Sequence, residues 1–224
     1  MSRTPTFCGV ILAAGESTRM GTDKALLPWP PAAAGLPSTG QTFLSSAIGV
    51  LSAFNDFVVV VVGNNEPNLA PVVYAAGGSV VRNPAPERGQ FSSLQVGLHE
   101  VLNRGRDAAM ITLVDRPPVS AATLEKLRTA FEAAASRGKW AVVPEYGGKH
   151  GHPILAGREM IEAFFKAPAT ATGRDIEHQN QQHIEYIAVD DPFVALNVDT
   201  PQDYAAVSSR GCADQMIPRK HEFR

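Results

Sequence analysis

Gly9-Val10-Ile11-Leu12-Ala13-Ala14-Gly15-Glu16-Ser17-Thr18-Arg19-Met20-Gly21-Thr22-Asp23-Lys24-Ala25-Leu26-Leu27-Pro28 is the stretch from which the fold is read. Its apolar start shows no polar alternation, the pattern of a strand covered on both faces in a parallel sheet. The run stops at two alanines and a glycine, and small polar residues, a second glycine and two cations follow. Little side-chain bulk lets the backbone N–H groups of such a loop turn inward onto one anion. Arg19 can fork onto phosphate oxygens, and Lys24 can add a mobile point charge. A loop of this kind at the C-terminal end of a first strand stands where open α/β sheets bind ligands. The motif is not a Walker A loop, because no Gly-Lys-Ser/Thr follows the second glycine, and it lacks the Gly-x-Gly-x-x-Gly of a dinucleotide site.

Outward from this stretch, strand-like and helix-like runs alternate. Phe7–Ala13 is expected to be the first strand. Gln41–Phe54 carries a helical stripe at Phe43, Leu44, Ala47, Ile48 and Leu51. Phe57–Val62 is a phenylalanine followed by five valines, a strand buried on both faces. Asn68–Ala76 is expected as a helix, Gly78–Val81 as a short strand, Phe91–Leu102 as a helix and Ala108–Val114 as a further buried strand. Ser120 is placed to cap a helix that turns Leu124, Leu127 and Phe131 inward. Lys139–Val143 reads as a strand and Arg158–Lys166 as a helix, followed by a polar stretch to Gln182. Ile184–Val189 and Val194–Asn197 read as strands. Thr200-Pro201-Gln202-Asp203 reads as a helix start. Such alternation implies a three-layer α/β fold on a mostly parallel sheet. Residues 1–207 form the expected domain and 208–224, polar and aperiodic, a flexible C-terminal tail. Pro30–Gly40, rich in Pro, Ala and Gly, reads as a surface loop.

The composition narrows the class. The chain has 224 residues, 44% of them apolar and 19% charged, enough for one globular domain with a sizeable core. A net charge of −2 leaves no broad electrostatic footprint for nucleic acid or for an anionic membrane. No apolar run has the length of a membrane span, and no signal peptide is expected ahead of the first strand. Cys8 and Cys212 are isolated thiols without metal-ligand spacing, which fits a reducing cytoplasm.

Four further segments carry chemistry. In Arg82-Asn83-Pro84-Ala85-Pro86-Glu87-Arg88-Gly89-Gln90-Phe91-Ser92-Ser93-Leu94, a helix begins near Gln90 or Phe91, with Ser92 and Ser93 in its first turn. The N–H groups and hydroxyls there can bind phosphate, sugar or base edges, or simply cap the helix. In Leu113-Val114-Asp115-Arg116-Pro117-Pro118, a carboxylate stands at the end of a buried strand, placed for Mg²⁺, which takes one or two carboxylates with phosphate oxygens and water. Gly147-Gly148-Lys149-His150-Gly151-His152-Pro153 offers two histidines at i, i+2, short of a zinc ligand set because no third ligand accompanies them. The last segment is Asn197-Val198-Asp199-Thr200-Pro201-Gln202-Asp203.

The order Leu-Ala-Ala-Gly-x-Ser-x-Arg-Met-Gly-x-x-Lys-x-Leu-Leu-Pro from Leu12 to Pro28 resembles the signature of the MobA-like nucleotidyltransferases, which attach a nucleotide to molybdopterin. The resemblance runs from about Gly9 to Tyr204. It implies a Rossmann-like nucleotidyltransferase fold of the nucleotide-diphospho-sugar transferase type. It also implies a nucleotide site at Leu12, Ala13, Ala14, Gly15, Arg19, Lys24, Asn83, Ser92, Ser93 and Asp115. The segment Ser92-Ser93-Leu94 resembles the cytidylyl-transferring branch and so points to CTP over GTP. Asp115 and Asp199 match the family's metal-binding aspartates and imply Mg²⁺. Arg19, Lys24 and Asp115 would carry the catalysis. The loop at Lys149 and His150 would face the acceptor's phosphate.

The chain departs from the pattern at several positions. Arg116 stands where the cytidylyl enzymes usually carry Gln, which bears on either the nucleotide or the second substrate. Asn197 replaces an Asp. Thr170-Ala171-Thr172-Gly173-Arg174 replaces a Gly-Asp-x-Gly-Ala-Arg segment, with Arg174 in the place of its arginine. The implied reaction is Mg²⁺-dependent transfer of a nucleoside monophosphate from CTP or GTP to a phosphate-bearing acceptor, molybdopterin first. A molybdenum enzyme is a further implied partner. A sugar- or alditol-phosphate nucleotidyltransferase, or a nucleotide-binding accessory protein without turnover, are the readings left beside it.

Overall fold

The computed structural model describes residues 5–15, 22–30 and 40–214. Arg19, Gly21 and most of the Pro30–Gly40 loop lie outside the described residues.

The valine run explains the layering. Successive strand residues point to opposite faces. In β2 (Phe57–Val62), Val58, Val60 and Val62 pack into one core while Val59 and Val61 pack into another. The first core is closed by α1 (Phe43–Ser52), α2 (Glu66–Ala75) and α4 (Ala121–Ala135), through residues such as Ile48, Leu69 and Leu127. The second is closed by α3 (Gln90–Asn103) and α5 (Arg158–Lys166), through Leu98 and Phe164. Two cores on one sheet make a three-layer α/β sandwich, and every central strand must be apolar on both faces.

β1 (Phe7–Leu12), β2, β3 (Ser79–Arg82) and β4 (Ala108–Leu113) run parallel in the order β3-β2-β1-β4. The chain thus leaves β1 first to one side and later to the other, and the C-terminal ends of β1 and β4 border the crevice where ligands bind in such sheets. β7 (Ile154–Gly157) is antiparallel to β4 and to β5 (Ala141–Tyr146). The two-residue β6 (Lys149–His150) pairs with the far end of β5, and β8 (Ile184–Ala188) pairs with β5 in parallel.

α3 lies unusually close to the sheet. A Cβ at Gly97 would stand 2.7 Å from Val10 Cγ1 and 2.9 Å from Val61 Cγ2, so only glycine fits. Ser120 does cap α4, accepting from Thr123 N–H at 3.2 Å.

Three sequence expectations are corrected. Val194–Asn197 is not a strand. Pro192–Ala195 forms a 3-10 turn, because Asp191 at its start accepts from the Phe193 N–H at 3.1 Å. The polar stretch before Gln182 contains a helix, α6 (Gly173–Gln179), started by reciprocal bonds between Thr172 and Asp175. The last helix, α7 (Pro201–Asp214), continues past Ser208, the residue from which composition alone reads as a tail.

Candidate active site

The site is assembled where ladder bonds outlast the strands. Ala13 N–H donates to the Val61 carbonyl at 2.8 Å, and Val114 N–H donates to the Leu12 carbonyl at 3.1 Å. The start of the glycine loop and the start of the Asp115 turn are thereby held side by side. A further backbone bond, Val198 N–H to the Asp115 carbonyl at 2.8 Å, brings the Asp199 segment to the same place. Asp115 and Asp199, far apart in sequence, therefore line one cavity of about 300 Å³ with Ala14, Gly15, Lys24 and Ser93.

Lys24 sits in a 3-10 turn, Lys24–Leu26, that Asp23 caps by accepting from the Ala25 N–H. Its side chain is largely buried, and its ammonium lies 2.6 Å from Asp199 Oδ1. Asp203 holds the Asp199–Thr200 backbone from behind, accepting from both N–H groups at 3.0 and 2.8 Å. Those bonds and the Thr200 hydroxyl hold the Asp203 carboxyl below its ordinary range, the hydroxyl contributing most.

Asn65 supports the loop from β2. Its Nδ2 donates to the Ala13 carbonyl and to Asp23 Oδ2, both at 2.9 Å, while its Oδ1 accepts from the Gly63 N–H at 3.1 Å. It thus fixes the end of β1 to the turn that carries Lys24. Sequence reasoning missed this residue; the Gly63-Asn64-Asn65 turn after the valine strand was its only signal.

Asp115 has a buried Oδ1 with no hydrogen-bond partner. Burial pushes its carboxyl above the usual range and Asp199 adds to that, while Lys24 and Arg116 pull the other way. An orphaned buried acceptor costs about 1–3 kcal/mol, so its persistence at a cavity wall calls for a ligand. Two carboxylates beside a nucleotide-sized cavity are the donor set of a hard divalent cation that keeps phosphate and water in its shell. Asp115 and Asp199 fit it. Among the described residues no three His, Cys, Asp or Glu come together as a fully protein-built metal site.

The serine segment divides. Ser93 lines the nucleotide-sized cavity, as do Gly89 and Gln90 at the start of α3. Asn83 and Ser92 face a different depression, on the other side of the Pro84–Arg88 turn. The Asn83 amide donates to Ser92 Oγ at 2.9 Å and to Ser93 Oγ at 3.0 Å, and Ser92 Oγ donates to the Gly89 carbonyl at 2.8 Å. The polar groups of Asn83 and Ser92 thus shape the α3 start. Leu12 lines the cavity, whereas Ala13 is buried in the first core and is not part of the cavity wall.

A second, larger cavity of about 720 Å³ adjoins the first and shares Leu12, Gln90, Leu113 and Asp115 with it. Lys149, His150, Arg174 and Glu177 line it. The two loop histidines are engaged separately. His150 stacks on Tyr186, ring centres 4.0 Å apart, with its Nε2 3.5 Å from Glu145 Oε2. His152 Nδ1 lies 3.3 Å from the Ile111 carbonyl; burial and then the Arg116 guanidinium push its pKa down to about 3, so it is neutral at pH 7. Burial pushes the Glu177 carboxyl up to about 7, which Arg174 only partly offsets.

Residues 9–185 match the MobA-like NTP transferase domain. The chain belongs to this family. Relatives named as molybdenum cofactor nucleotidyltransferases make it a nucleotidyltransferase. One, from Mycobacterium avium, is named a probable molybdenum cofactor guanylyltransferase and is 26% identical over 93% of this chain and 98% of its own. Another, the molybdenum cofactor cytidylyltransferase of Escherichia coli, is 23% identical over 90% of this chain and 95% of its own. The crystal structure of Rv0371c from Mycobacterium tuberculosis superposes with a TM-score of 0.74 at 28% identity, over 93% of this chain and all of that one. A second structure of Rv0371c is described as a manganese complex, with a TM-score of 0.70 at 25% identity, over 91% of this chain and 98% of that one. Among the described residues no helix of the MobA-like chain is long and apolar enough to cross a membrane.

Proposed function

We propose that this MobA-like protein transfers a nucleoside monophosphate from CTP, or from GTP, to the phosphate of molybdopterin, releasing pyrophosphate. The observation that carries the reading is Asp115, which lines both cavities and holds a buried Oδ1 without a hydrogen-bond partner. The smaller cavity takes the triphosphate and the larger takes the acceptor. A nucleotide-binding accessory protein without turnover would not need an orphaned carboxylate shared by both cavities.

The chain's own residues position and neutralise. The small residues Ala14 and Gly15 let the triphosphate approach the backbone, and Lys24 carries positive charge to its oxygens. Arg19 is assigned the same role on the loop. Asp115 and Asp199 would hold Mg²⁺, or another hard divalent cation, which when bound supplies charge neutralisation at the α-phosphate. An acceptor phosphate is largely dianionic at pH 7, its second pKa being about 6, so its oxygen needs no side-chain base to attack phosphorus. The bond to pyrophosphate breaks as the new P–O bond forms. The rate gain is then assigned to positioning and electrostatics. The reaction is placed in the cytoplasm, with a molybdenum enzyme as the receiver of the product.

The test is a single-turnover assay of each of the four ribonucleoside triphosphates with molybdopterin and Mg²⁺, following pyrophosphate. Release that requires molybdopterin with CTP or GTP supports the reading. Release with a sugar or alditol phosphate instead, or with no acceptor tried, refutes it.

A further inference from the structure

Arg116 stands where the cytidylyl-transferring enzymes that the chain resembles usually carry glutamine, and its place in the fold bears on the second substrate. It lines the larger cavity and is absent from the wall of the smaller one, although its neighbour Asp115 lines both. The side chain is fixed from behind: Nη1 donates to the Val194 carbonyl at 2.8 Å. That carbonyl is itself held, since it accepts from the His152 N–H at 2.9 Å and packs against Gly151 so tightly that a Cβ there would overlap it. Nε of Arg116 is buried without a hydrogen-bond partner. A guanidinium carries five N–H donors in a planar fork. Here one is anchored and one is orphaned.

We propose that Arg116 binds the acceptor's phosphate monoester and so selects phosphate-bearing acceptors in the larger cavity; this rests on the assignment of that cavity to the acceptor. The charge balance supports it. Asp199 lines only the nucleotide cavity, whereas Asp115 lines both. On the acceptor side Lys149 and Arg174 line the cavity against one further carboxyl, Glu177. An excess of cations facing a dianion, with a forked donor able to bridge two oxygens, is the arrangement phosphate recognition uses. A phosphate held by Arg116 lies beside Asp115, where one of its oxygens can form the new bond to the α-phosphorus as the bond to pyrophosphate breaks, with no proton transferred. Because Arg116 does not wall the nucleotide cavity, it does not choose between CTP and GTP.

The experiment is a calorimetric titration of inorganic phosphate into protein saturated with Mg²⁺ and α,β-methylene-CTP, or α,β-methylene-GTP where the cytidine analogue does not bind. The analogue blocks the nucleotide cavity. Wild type should bind phosphate, Arg116→Gln at least tenfold more weakly, and Arg116→Lys between the two. The affinity ratio of the two nucleotide analogues should be the same in all three. Melting temperature is the fold control, and if Arg116→Gln melts early, Arg116→Lys carries the comparison. Equal phosphate affinity in the variants, no phosphate binding in wild type, or a shifted analogue ratio overturns the proposal. Wild type that binds phosphate through Arg116 yet does not transfer to molybdopterin refutes the acceptor's identity and leaves the role of Arg116 standing.

Discussion

Lys24 Nζ lies 2.6 Å from Asp199 Oδ1 at the wall of the nucleotide-sized cavity. The cation assigned to the triphosphate and an anion assigned to the metal therefore hold each other before either ligand arrives. Binding exchanges partners rather than adding charges. Two consequences follow for the variants. Lys24→Ala should weaken CTP and GTP binding by about 2 to 3 kcal/mol, roughly 30- to 150-fold. Asp199→Asn should behave oppositely in the absence of metal: with its carboxylate partner neutral, Lys24 should bind metal-free triphosphate at least as tightly as in wild type. Calorimetry with and without Mg²⁺ checks both. Weaker metal-free binding in Asp199→Asn would mean that the ion pair organises the loop instead of competing with the ligand.

Glu177 gives a pH-dependent stability. Burial raises its carboxyl from the ordinary 4.5 to about 7. Between those values the folded chain keeps a proton that the unfolded chain has released. The folded state binds more protons there, so stability falls as pH rises through that window and levels off above it. Glu177→Gln should raise the melting temperature at pH 8 and leave it unchanged at pH 4. Scanning calorimetry at the two values decides; the same shift at both would show that the carboxyl is not perturbed by folding.

Gly97 tests the close approach of α3 to the sheet. A methyl group there would press on Val10 and Val61, both fully buried. Overpacking costs typically 1–3 kcal/mol, and the better helix propensity of Ala returns up to about 1. Gly97→Ala should therefore lose about 1 to 2 kcal/mol, roughly 2 to 8 °C in melting temperature for a chain of this size. An unchanged melting temperature would mean that α3 can lift off the sheet at little cost.

What the sequence made legible follows from burial on two faces. β1, β2 and β4 are continuous apolar runs because each strand feeds both cores, and such runs announce themselves. The Asp115 turn could be read because it ends one of them. The expectations failed where local polar bonds decide structure. α6 exists because Thr172 and Asp175 cap each other, a signal hidden in a polar stretch. β6 and β7 flank a glycine loop and are too short to show a period. The serine motif was visible as a cluster, but nothing in its order shows that the Asn83 amide bonds both hydroxyls while only Ser93 also lines the smaller cavity. Nor could the order reveal that Arg116 lines the larger cavity and not the smaller one.

The choice of base is open to a direct comparison. The Ser92-Ser93-Leu94 resemblance favours CTP, and Ser93 is the member of that segment that faces the cavity. The ratio of kcat/KM for CTP to that for GTP, with molybdopterin as acceptor, should exceed one. Ser93→Ala should lower that ratio. A ratio below one would assign the protein to the guanylyl-transferring side of the family.

The central claim is that Asp115 and Asp199 act together on one bound triphosphate. Single-turnover transfer to molybdopterin should be measured for Asp115→Asn, Asp199→Asn and the double variant, with circular dichroism as the fold control. Each single change should reduce the rate severely in a folded protein, and the double change should cost little more than the worse single one, because groups acting as a unit are non-additive. Full activity in either single variant, or losses that multiply in the double variant, would contradict the shared site.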